Sequence, residues 1–144
     1  LTIRRRTDAI IVHHGGNTNA DVSAETIHQW HLANGWAGIG YHFVIRKDGS
    51  IEQGRPMDTV GAHCYGENDH TVGVNLVGNF EDYVPEDAQV ASAKRLLAAL
   101  CRNYGFAPSS STIFGHRDFN ATACPGQNLY DMLPDIIRGA ASLY

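Results

Sequence analysis

Cysteine is scarce in this chain of 144 residues. The three cysteines, Cys64, Cys101 and Cys124, form an odd set with no close pairing pattern, which argues against a disulfide framework. Reduced thiols are typical of cytosolic proteins, although metal binding would also protect a thiol outside the cell. Each cysteine is therefore free either to pack in the core or to bind a metal.

Charge is also low, and it is not concentrated in one region. Charged residues make up 18% of the chain, and the formal net charge is −4. A basic stripe of the kind that binds nucleic acid is absent, so no nucleic-acid partner is predicted. The only basic run is residues 4–6, and we expect these arginines to form a solvated lead into the first strand.

Long apolar runs are missing as well, so no membrane insertion is predicted. The chain starts at Leu1 without a methionine, which leaves open the removal of a signal peptide or of another domain. The apolar content of 43% is enough for one packed domain but not for two of ordinary size. We therefore expect residues 1–144 to form a single domain.

The hydrophobic pattern predicts an α/β fold. A nearly continuous apolar run at residues 8–13 is typical of a strand buried on both faces. Asp48-Gly49 predicts a tight hairpin turn. The other predicted strands lie at 40–47, 50–53, 71–78 and 111–114, and the predicted helices at 23–35, 85–104 and 125–139. This order favours a central mixed β-sheet flanked by about three helices.

The segment from Gly115 to Gly126 carries the strongest candidates for metal binding. His116 and Cys124 lie eight residues apart, and an imidazole with a thiolate suits zinc. We expect Cys124 to cap the last helix, with Pro125 at its first position and the helix dipole favouring the thiolate. A third ligand is expected from the His13-His14 pair. Only one of these two side chains can face a given metal, because side chains alternate along a strand.

A structural role is the competing interpretation for each of these residues. A single histidine is more often a hydrogen-bonded structural residue than a ligand, and a single cysteine is more often buried packing. If the three side chains do converge, a fourth zinc position is left open for water, which is the catalytic arrangement. Water on such a metal ionises near neutral pH, which points to hydrolysis of an amide or ester. No His-Glu-x-x-His motif is present, which argues against the common peptidase arrangement.

Five segments in the same order carry a family resemblance that covers residues 8 to 133. They are Asp8–His14, Gly40–Ile45, Val60–His63, Val72–Gly78 and Gly115–Gly126. Together they resemble the type 2 N-acetylmuramoyl-L-alanine amidases, which include the phage lysozyme-amidases and are related to the animal peptidoglycan recognition proteins. The resemblance implies zinc as cofactor and peptidoglycan or muropeptides as partner. The bond cut would join N-acetylmuramic acid to L-alanine of the stem peptide.

The resemblance also implies roles for particular residues. The zinc ligands match His13, His116 and Cys124. Tyr41 matches a tyrosine beside the scissile carbonyl. Thr122 stands where some members have lysine, and its hydroxyl would stabilise the developing oxyanion more weakly because it has no charge.

Three further sets of residues are less constrained. His63, on the long loop at residues 54–70, is expected to contact glycan or peptide, with a hydrogen bond that braces the loop as the alternative. His42 is expected to be structural, because it points away from Tyr41. Arg117 and Asp118 either shape the ligand loop or are solvated.

Several functional alternatives stay open. The chain is expected to be a monomeric phage or prophage endolysin, made in the bacterial cytoplasm and acting on the cell wall. A periplasmic or secreted bacterial enzyme is the alternative location. A peptidoglycan-binding module without catalysis, a structural or redox-regulated protein without a metal site, and a zinc hydrolase that cuts within wall peptides are the alternative functions.

Overall fold

The computed structural model describes residues 1–144. Strands and helices alternate along most of the chain. The strands are β1 (Ala9–His14), β2 (Phe43–Ile45), β3 (Ile51–Gln53), β4 (Thr71–Leu76) and β5 (Ile113–Gly115). The helices are α1 (Ala24–Ala33), α2 (Asp87–Tyr104) and α3 (Gln127–Leu143).

The five strands form one mixed sheet in the order β3-β2-β4-β1-β5. β1 pairs in parallel with β4 and with β5, and β2 pairs in parallel with β4. Only β3 runs antiparallel, in the hairpin with β2 that Asp48-Gly49 predicted. The α/β class with a mixed sheet and three helices is therefore confirmed. The parallel strands all end at the same edge of the sheet, where α/β proteins place their sites.

The sheet is covered on both faces. The larger core cluster contains 19 buried residues, which come from one face of the sheet, from α2 and α3, and from Phe80 in the loop after β4. A smaller cluster of four, Ile27, Ile39, Val44 and Val77, lies where α1 meets the other face. All six residues of β1 are buried, as expected from its nearly continuous apolar sequence. The carboxyl edge of β1 is thus held firmly between two packed layers.

The amino-terminal basic run is only partly solvated. Arg5 and Arg6 are exposed, but Arg4 is 7% exposed, so the expectation of a solvated lead is wrong for Arg4. Its guanidinium donates hydrogen bonds to the Thr59 carbonyl (2.7 Å) and to the Tyr104 hydroxyl (2.9 Å). A buried guanidinium is tolerated when its N–H groups find acceptors, and Arg4 meets that condition.

The helices follow the predicted pattern with one correction. Ser23 caps α1 by accepting a hydrogen bond from the Thr26 amide, and α2 ends at Tyr104 as expected. The last helix begins at Gln127 rather than at Pro125, because the Gly126 amide closes a turn onto the Ala123 carbonyl. It then continues through Pro134 without a break. None of the helices combines the length and apolar character needed to cross a bilayer.

We expect Leu97→Ala in α2 to lower the free energy of unfolding by about 2–5 kcal/mol. Leu97 is fully buried in the larger cluster, so the truncation removes apolar contacts and leaves a cavity. Leu32→Ala is the matched control, because Leu32 lies on α1 and is 41% exposed. Urea unfolding of both variants measures the difference. Equal losses would contradict the assignment of the core.

Candidate metal centre and active site

Two of the three predicted ligands leave neighbouring strands side by side. Val12 of β1 is in register with Gly115 of β5, so the next residues, His13 and His116, emerge together at the carboxyl edge. The centroids of their imidazole rings are 4.6 Å apart. His13 is 1% exposed, whereas His116 is half-buried at the start of a short 3-10 turn. One ring is therefore fixed in the core, and the other faces the opening of the site.

Cys124 completes the cluster from the loop before α3. Its Sγ lies 3.5 Å from Nδ1 of His13, and one ligand atom from each of the three residues lies within 4.8 Å of the others. Tetrahedral zinc with bonds of about 2.1 Å to nitrogen and 2.3 Å to sulfur separates these ligands by about 3.6 Å. The donor set and its spacing therefore fit zinc. His14 is not in this cluster, as the resemblance implied.

Each histidine of the cluster has its other ring nitrogen held by the protein. His13 Nε2 lies 2.9 Å from Nδ1 of His63, and His116 Nε2 lies 2.8 Å from Oδ1 of Asn120. The amide of Asn120 is itself oriented, because its Nδ2 donates to the Tyr65 carbonyl. Since an amide oxygen only accepts, His116 Nε2 carries the proton. Nδ1 of His116 is then free to bind a metal.

Burial sets the protonation of the cluster. It lowers the pKa of His13 well below its usual value, with His63 as the next cause, so His13 is neutral. Burial raises the pKa of the Cys124 thiol to about 12, although the His14 amide that donates to Sγ acts in the opposite direction. A thiol this buried forms a thiolate when a cation lies beside it. The cluster is thus built for a cation rather than for a free thiolate.

The expected contribution of the helix dipole to Cys124 is not found. Cys124 lies before the turn that precedes α3, and the N-cap residue of that helix is Gly126. The nearest polar hydrogen to the sulfur comes instead from β1, where the His14 amide lies 3.4 Å from Sγ. The sequence spacing placed Cys124 near a helix start, but the intervening turn separates the thiol from the helix end.

Arg117 and Asp118 shape the ligand loop. The Arg117 amide donates to the Cys124 carbonyl (2.9 Å), and its guanidinium donates to the Ala123 carbonyl and to Gln127 Oε1 (2.7 Å). Asp118 accepts hydrogen bonds from the Gly115 amide (2.9 Å) and from the Tyr130 hydroxyl (2.5 Å). These contacts join the segment of His116 to the segment of Cys124. Of the two interpretations, the loop-shaping one agrees with this geometry.

Tyr41 lies beside the cluster, just before β2. Its ring centroid is 5.1 Å from that of His13 and 5.6 Å from that of His31. Burial, and after it the negative charge of Cys124, raises the pKa of the Tyr41 hydroxyl above its usual value. The phenol therefore keeps its proton at neutral pH. It is available beside the cluster as a hydrogen-bond donor.

Thr122 lies on the exposed side of the same loop. Its Oγ1 accepts a hydrogen bond from the Cys124 amide at 3.2 Å. A hydroxyl that accepts from an amide still has its own hydrogen to donate. This arrangement places a free donor two residues from the Cys124 thiol.

His63 does not line the opening of the site, so the expected contact with glycan or peptide is not supported by this structure. The residue is 8% exposed, and its two ring nitrogens lie near His13 Nε2 and Thr71 Oγ1. Burial lowers its pKa to about 3, with His42 as the next cause. The alternative, a bracing role, agrees better with these contacts. Sequence spacing alone did not show which face of the loop is turned inward.

His42 has structural contacts, as expected, and His14, which is buried rather than exposed, has structural contacts as well. His42 is fully buried and lies 2.7 Å from the Thr59 carbonyl. Its Nδ1 accepts a hydrogen bond from the Gly73 amide at 3.0 Å. Nδ1 of His14 accepts from the Phe80 amide at 3.0 Å. Both rings thus join strands to loops beside the cluster without offering an atom to it.

Two polar partners of the cluster were not predicted from the sequence. Asn120 follows His116 at a spacing of four residues within a tight turn, which is a weak signal when taken alone. Thr71 opens β4 and resembles any other β-branched strand residue. Both act through a histidine, so neither could be recognised before that histidine was placed.

The fold and the cluster define an α/β protein with a half-open centre of two imidazoles and a thiol. The family model for N-acetylmuramoyl-L-alanine amidase matches residues 3–127. The chain is 37% identical over 137 residues to the endolysin of Klebsiella phage KP32, covering 90% of this chain and 87% of the relative. The chain belongs to the N-acetylmuramoyl-L-alanine amidase family.

Solved structures agree with this assignment. The endolysin amidase LysCS from Clostridium intestinale superposes with a TM-score of 0.86 at 32% identity, covering 96% of this chain and 88% of that one. A tyrosine-to-phenylalanine mutant of Drosophila PGRP-LB in complex with tracheal cytotoxin gives a TM-score of 0.81 at 28% identity, covering 92% and 83%. The expected enzyme class, an N-acetylmuramoyl-L-alanine amidase, is therefore confirmed.

We expect Arg117→Leu to lower the free energy of unfolding by about 1–3 kcal/mol, because the hydrogen bonds that its charged guanidinium donates to the Ala123 carbonyl and to Gln127 Oε1 are lost. The Arg117 side chain is 20% exposed, so water replaces the lost contacts only in part. Arg138→Leu is the control, since the Arg138 side chain is 72% exposed and its ion pair spans 3.6 Å. Thermal unfolding of both variants without metal is the measurement. A similar loss in the control would contradict the role of Arg117.

Proposed function

We propose that this chain is a zinc-dependent amidase that releases the stem peptide of peptidoglycan by cutting between N-acetylmuramic acid and L-alanine. The observation that carries the proposal is the convergence of His13, His116 and Cys124 at one edge of the sheet, within 4.8 Å. The amidase family assignment supports the bond, and the cytotoxin complex of the PGRP-LB mutant supports a muropeptide as substrate class.

Each of the three residues would offer one ligand atom to the ion. His13 and His116 offer Nδ1, because their Nε2 atoms lie against His63 and Asn120. Cys124 offers Sγ from a loop whose Ala123 and Cys124 carbonyls accept hydrogen bonds from Arg117. A bound zinc supplies Lewis acidity, which polarises an amide carbonyl and lowers the pKa of water. Three protein ligands leave a coordination position for water or for the substrate carbonyl.

Tyr41 and Thr122 act on the substrate. Tyr41 keeps its proton and donates a hydrogen bond to the reacting oxygen beside the cluster. Thr122 donates its free hydroxyl hydrogen to the oxyanion that develops from the carbonyl, while its oxygen accepts from the Cys124 amide. A neutral hydroxyl stabilises this charge less than a lysine would. Tyr41 acting through a water is the candidate proton donor to the leaving amine.

The proposal extends to the setting of the enzyme. We propose that residues 1–144 form one amidase domain that acts as a monomer on the cell wall. The endolysin relative supports action on the cell wall, and synthesis in the bacterial cytoplasm is part of the proposal. Sedimentation velocity of the purified chain tests the monomer. Release of product by the same preparation tests the single domain.

The zinc assignment predicts about one zinc per chain and loss of activity with a chelator. In Cys124→Ser we expect the rate of product release from defined muropeptides to fall by about 10²-fold or more, because one of three ligands is lost. Mass spectrometry of the products identifies the bond: an amidase frees the amine of L-alanine, whereas a peptidase cuts within the peptide.

Cys101→Ala is the control for the loss of a buried thiol, because Cys101 lies in the core cluster and outside the metal group. It is expected to keep its zinc and its activity. Digestion by Cys124→Ser at the parent rate, or a protein without zinc, would overturn the proposed mechanism. Products cut within the stem peptide would overturn the proposed bond.

We expect Tyr41→Phe to lower kcat by about 10²-fold, because the donor to the reacting oxygen is lost. Zinc affinity should stay unchanged, since the phenol is not one of the ligands. Tyr83→Phe is the matched control, because Tyr83 is 54% exposed on the loop before α2. Steady-state kinetics and a zinc competition assay separate the two effects. An unchanged kcat in Tyr41→Phe would remove Tyr41 from the mechanism.

A further inference from the structure

The His63 side chain lies inside a continuous line of hydrogen bonds that ends at a metal ligand. His63 Nδ1 is 2.9 Å from His13 Nε2, and His63 Nε2 is 3.2 Å from Thr71 Oγ1. The Thr71 hydroxyl lies 2.7 Å from the backbone carbonyl of Glu67. His63 and His13 are both buried, and Thr71 is fully buried. Four groups are therefore connected in sequence, away from solvent.

The Glu67 carbonyl at the end of this line determines which atom donates in each of its hydrogen bonds. A backbone carbonyl only accepts, so the single hydroxyl hydrogen of Thr71 is donated to Glu67. Thr71 Oγ1 must then accept from His63, which places the hydrogen on Nε2 of that ring. In a neutral ring the other nitrogen is an acceptor, so His63 Nδ1 accepts from His13 Nε2–H. The remaining lone pair of His13 is on Nδ1, which faces Cys124 Sγ.

The backbone is shaped to hold the His63 ring in this place. A Cβ built on Gly73 of β4 would lie 2.6 Å from Cγ of His63, and one built on Gly61 would lie 2.8 Å from Cδ2. Both distances are too short for a real side chain, so these glycines make the space for the imidazole. The Gly73 amide is itself held by Nδ1 of His42. The glycines of Val60-Gly61-Ala62-His63 and Val72-Gly73-Val74 thus have a common explanation.

We propose that Thr71 and His63 are positioning residues that set the tautomer of His13, so that its Nδ1 lone pair is directed at the metal. The chain of donors runs from His13 through His63 and Thr71 to the Glu67 carbonyl, and it does not touch substrate. This inference rests on the proposed function in one respect, namely that His13 binds zinc. The direction of the hydrogen bonds is a property of the metal-free protein as well.

The contacts of the other histidine ligand strengthen this inference. The hydrogen on His116 Nε2 is fixed directly by the Asn120 side-chain oxygen, and both residues lie partly exposed on the loop. His13 is buried on β1, where the nearest acceptor is another imidazole with no preferred direction of its own. An imidazole can donate or accept at either nitrogen, so it needs a further group to fix its tautomer. Thr71 supplies that group.

The test uses Thr71→Val, which replaces the hydroxyl with a methyl group of similar shape and suits a strand. Without an acceptor at Nε2, His63 no longer has to accept from His13. We expect the zinc dissociation constant to rise by about 10-fold, within the range found when partners of metal-binding histidines are removed. Thr71→Ser keeps the hydroxyl and should restore the wild-type affinity. The affinity is measured by competition with a zinc-binding dye.

Thr59→Val is the matched control. Thr59 is also buried, and its hydroxyl also donates to a backbone carbonyl, that of Pro56, but it lies outside the line from His63 to Glu67. Its zinc affinity should stay at the wild-type value. A rise in the dissociation constant of Thr59→Val equal to that of Thr71→Val would show a general loss of packing and would overturn the proposal.

The second measurement is made on the metal-free protein. Nitrogen-15 NMR of the imidazole rings reports which nitrogen carries the hydrogen. We expect Nε2–H for both His13 and His63 in the wild-type protein, and a shift of the His13 population toward Nδ1–H in Thr71→Val. Nδ1–H as the main form of either ring in the wild type would overturn the proposal. So would a Thr71→Val protein with unchanged tautomers and unchanged zinc affinity.

These readouts keep the two proposals separate. If the wild-type protein binds no zinc, the proposed function fails, while the tautomers of the metal-free rings still decide whether Thr71 and His63 orient His13. If zinc binds and peptidoglycan is cut but the tautomers are unaffected by Thr71→Val, only the positioning role fails.

Discussion

The parallel pairing of β1 with β5 is the constraint on which the site depends. The registered pair Val12 and Gly115 brings two chain segments about a hundred residues apart into hydrogen-bonding contact. His13 and His116 therefore emerge as neighbours without any further adjustment. Because β1 is buried between two packed layers, a shift of one residue in this register would exchange the faces of its side chains. The same packing that stabilises the sheet thus fixes the spacing of the two imidazoles.

Much of the fold could be predicted because its signals are local. The continuous apolar run of β1, the Asp48-Gly49 turn and the apolar stripe of α2 each lie within a short stretch of sequence. The candidate metal ligands required the family resemblance. Residue chemistry suggested His116 and Cys124 from their spacing, but the choice of His13 over His14 came from the resemblance. The cluster in the structure agrees with that choice.

The features that sequence reasoning missed depend on contacts between distant segments. Arg4 was expected to be solvated. It is buried instead, because it donates a hydrogen bond to the carbonyl of Thr59, 55 residues later, and the local sequence contains no sign of this contact. For His63 the sequence left substrate contact and a bracing hydrogen bond both open, and its partners in the structure are His13, 50 residues earlier, and Thr71. The start of α3 depends on a turn between Ala123 and Gly126 that no helix-capping rule describes. Propensity and periodicity contain no information about such pairs.

The buried guanidinium of Arg4 attaches the amino-terminal segment, residues 1–7, to the rest of the folded domain. It joins this segment to Thr59 in the long loop and to Tyr104 at the last turn of α2, and it lies 3.2 Å from Nε2 of His42. Removal of residues 1–6 would take away the Arg4 donor from the Tyr104 hydroxyl and one of the two donors from the Thr59 carbonyl. A variant with a shortened amino-terminal segment should therefore keep Arg4 and the residues that connect it to β1.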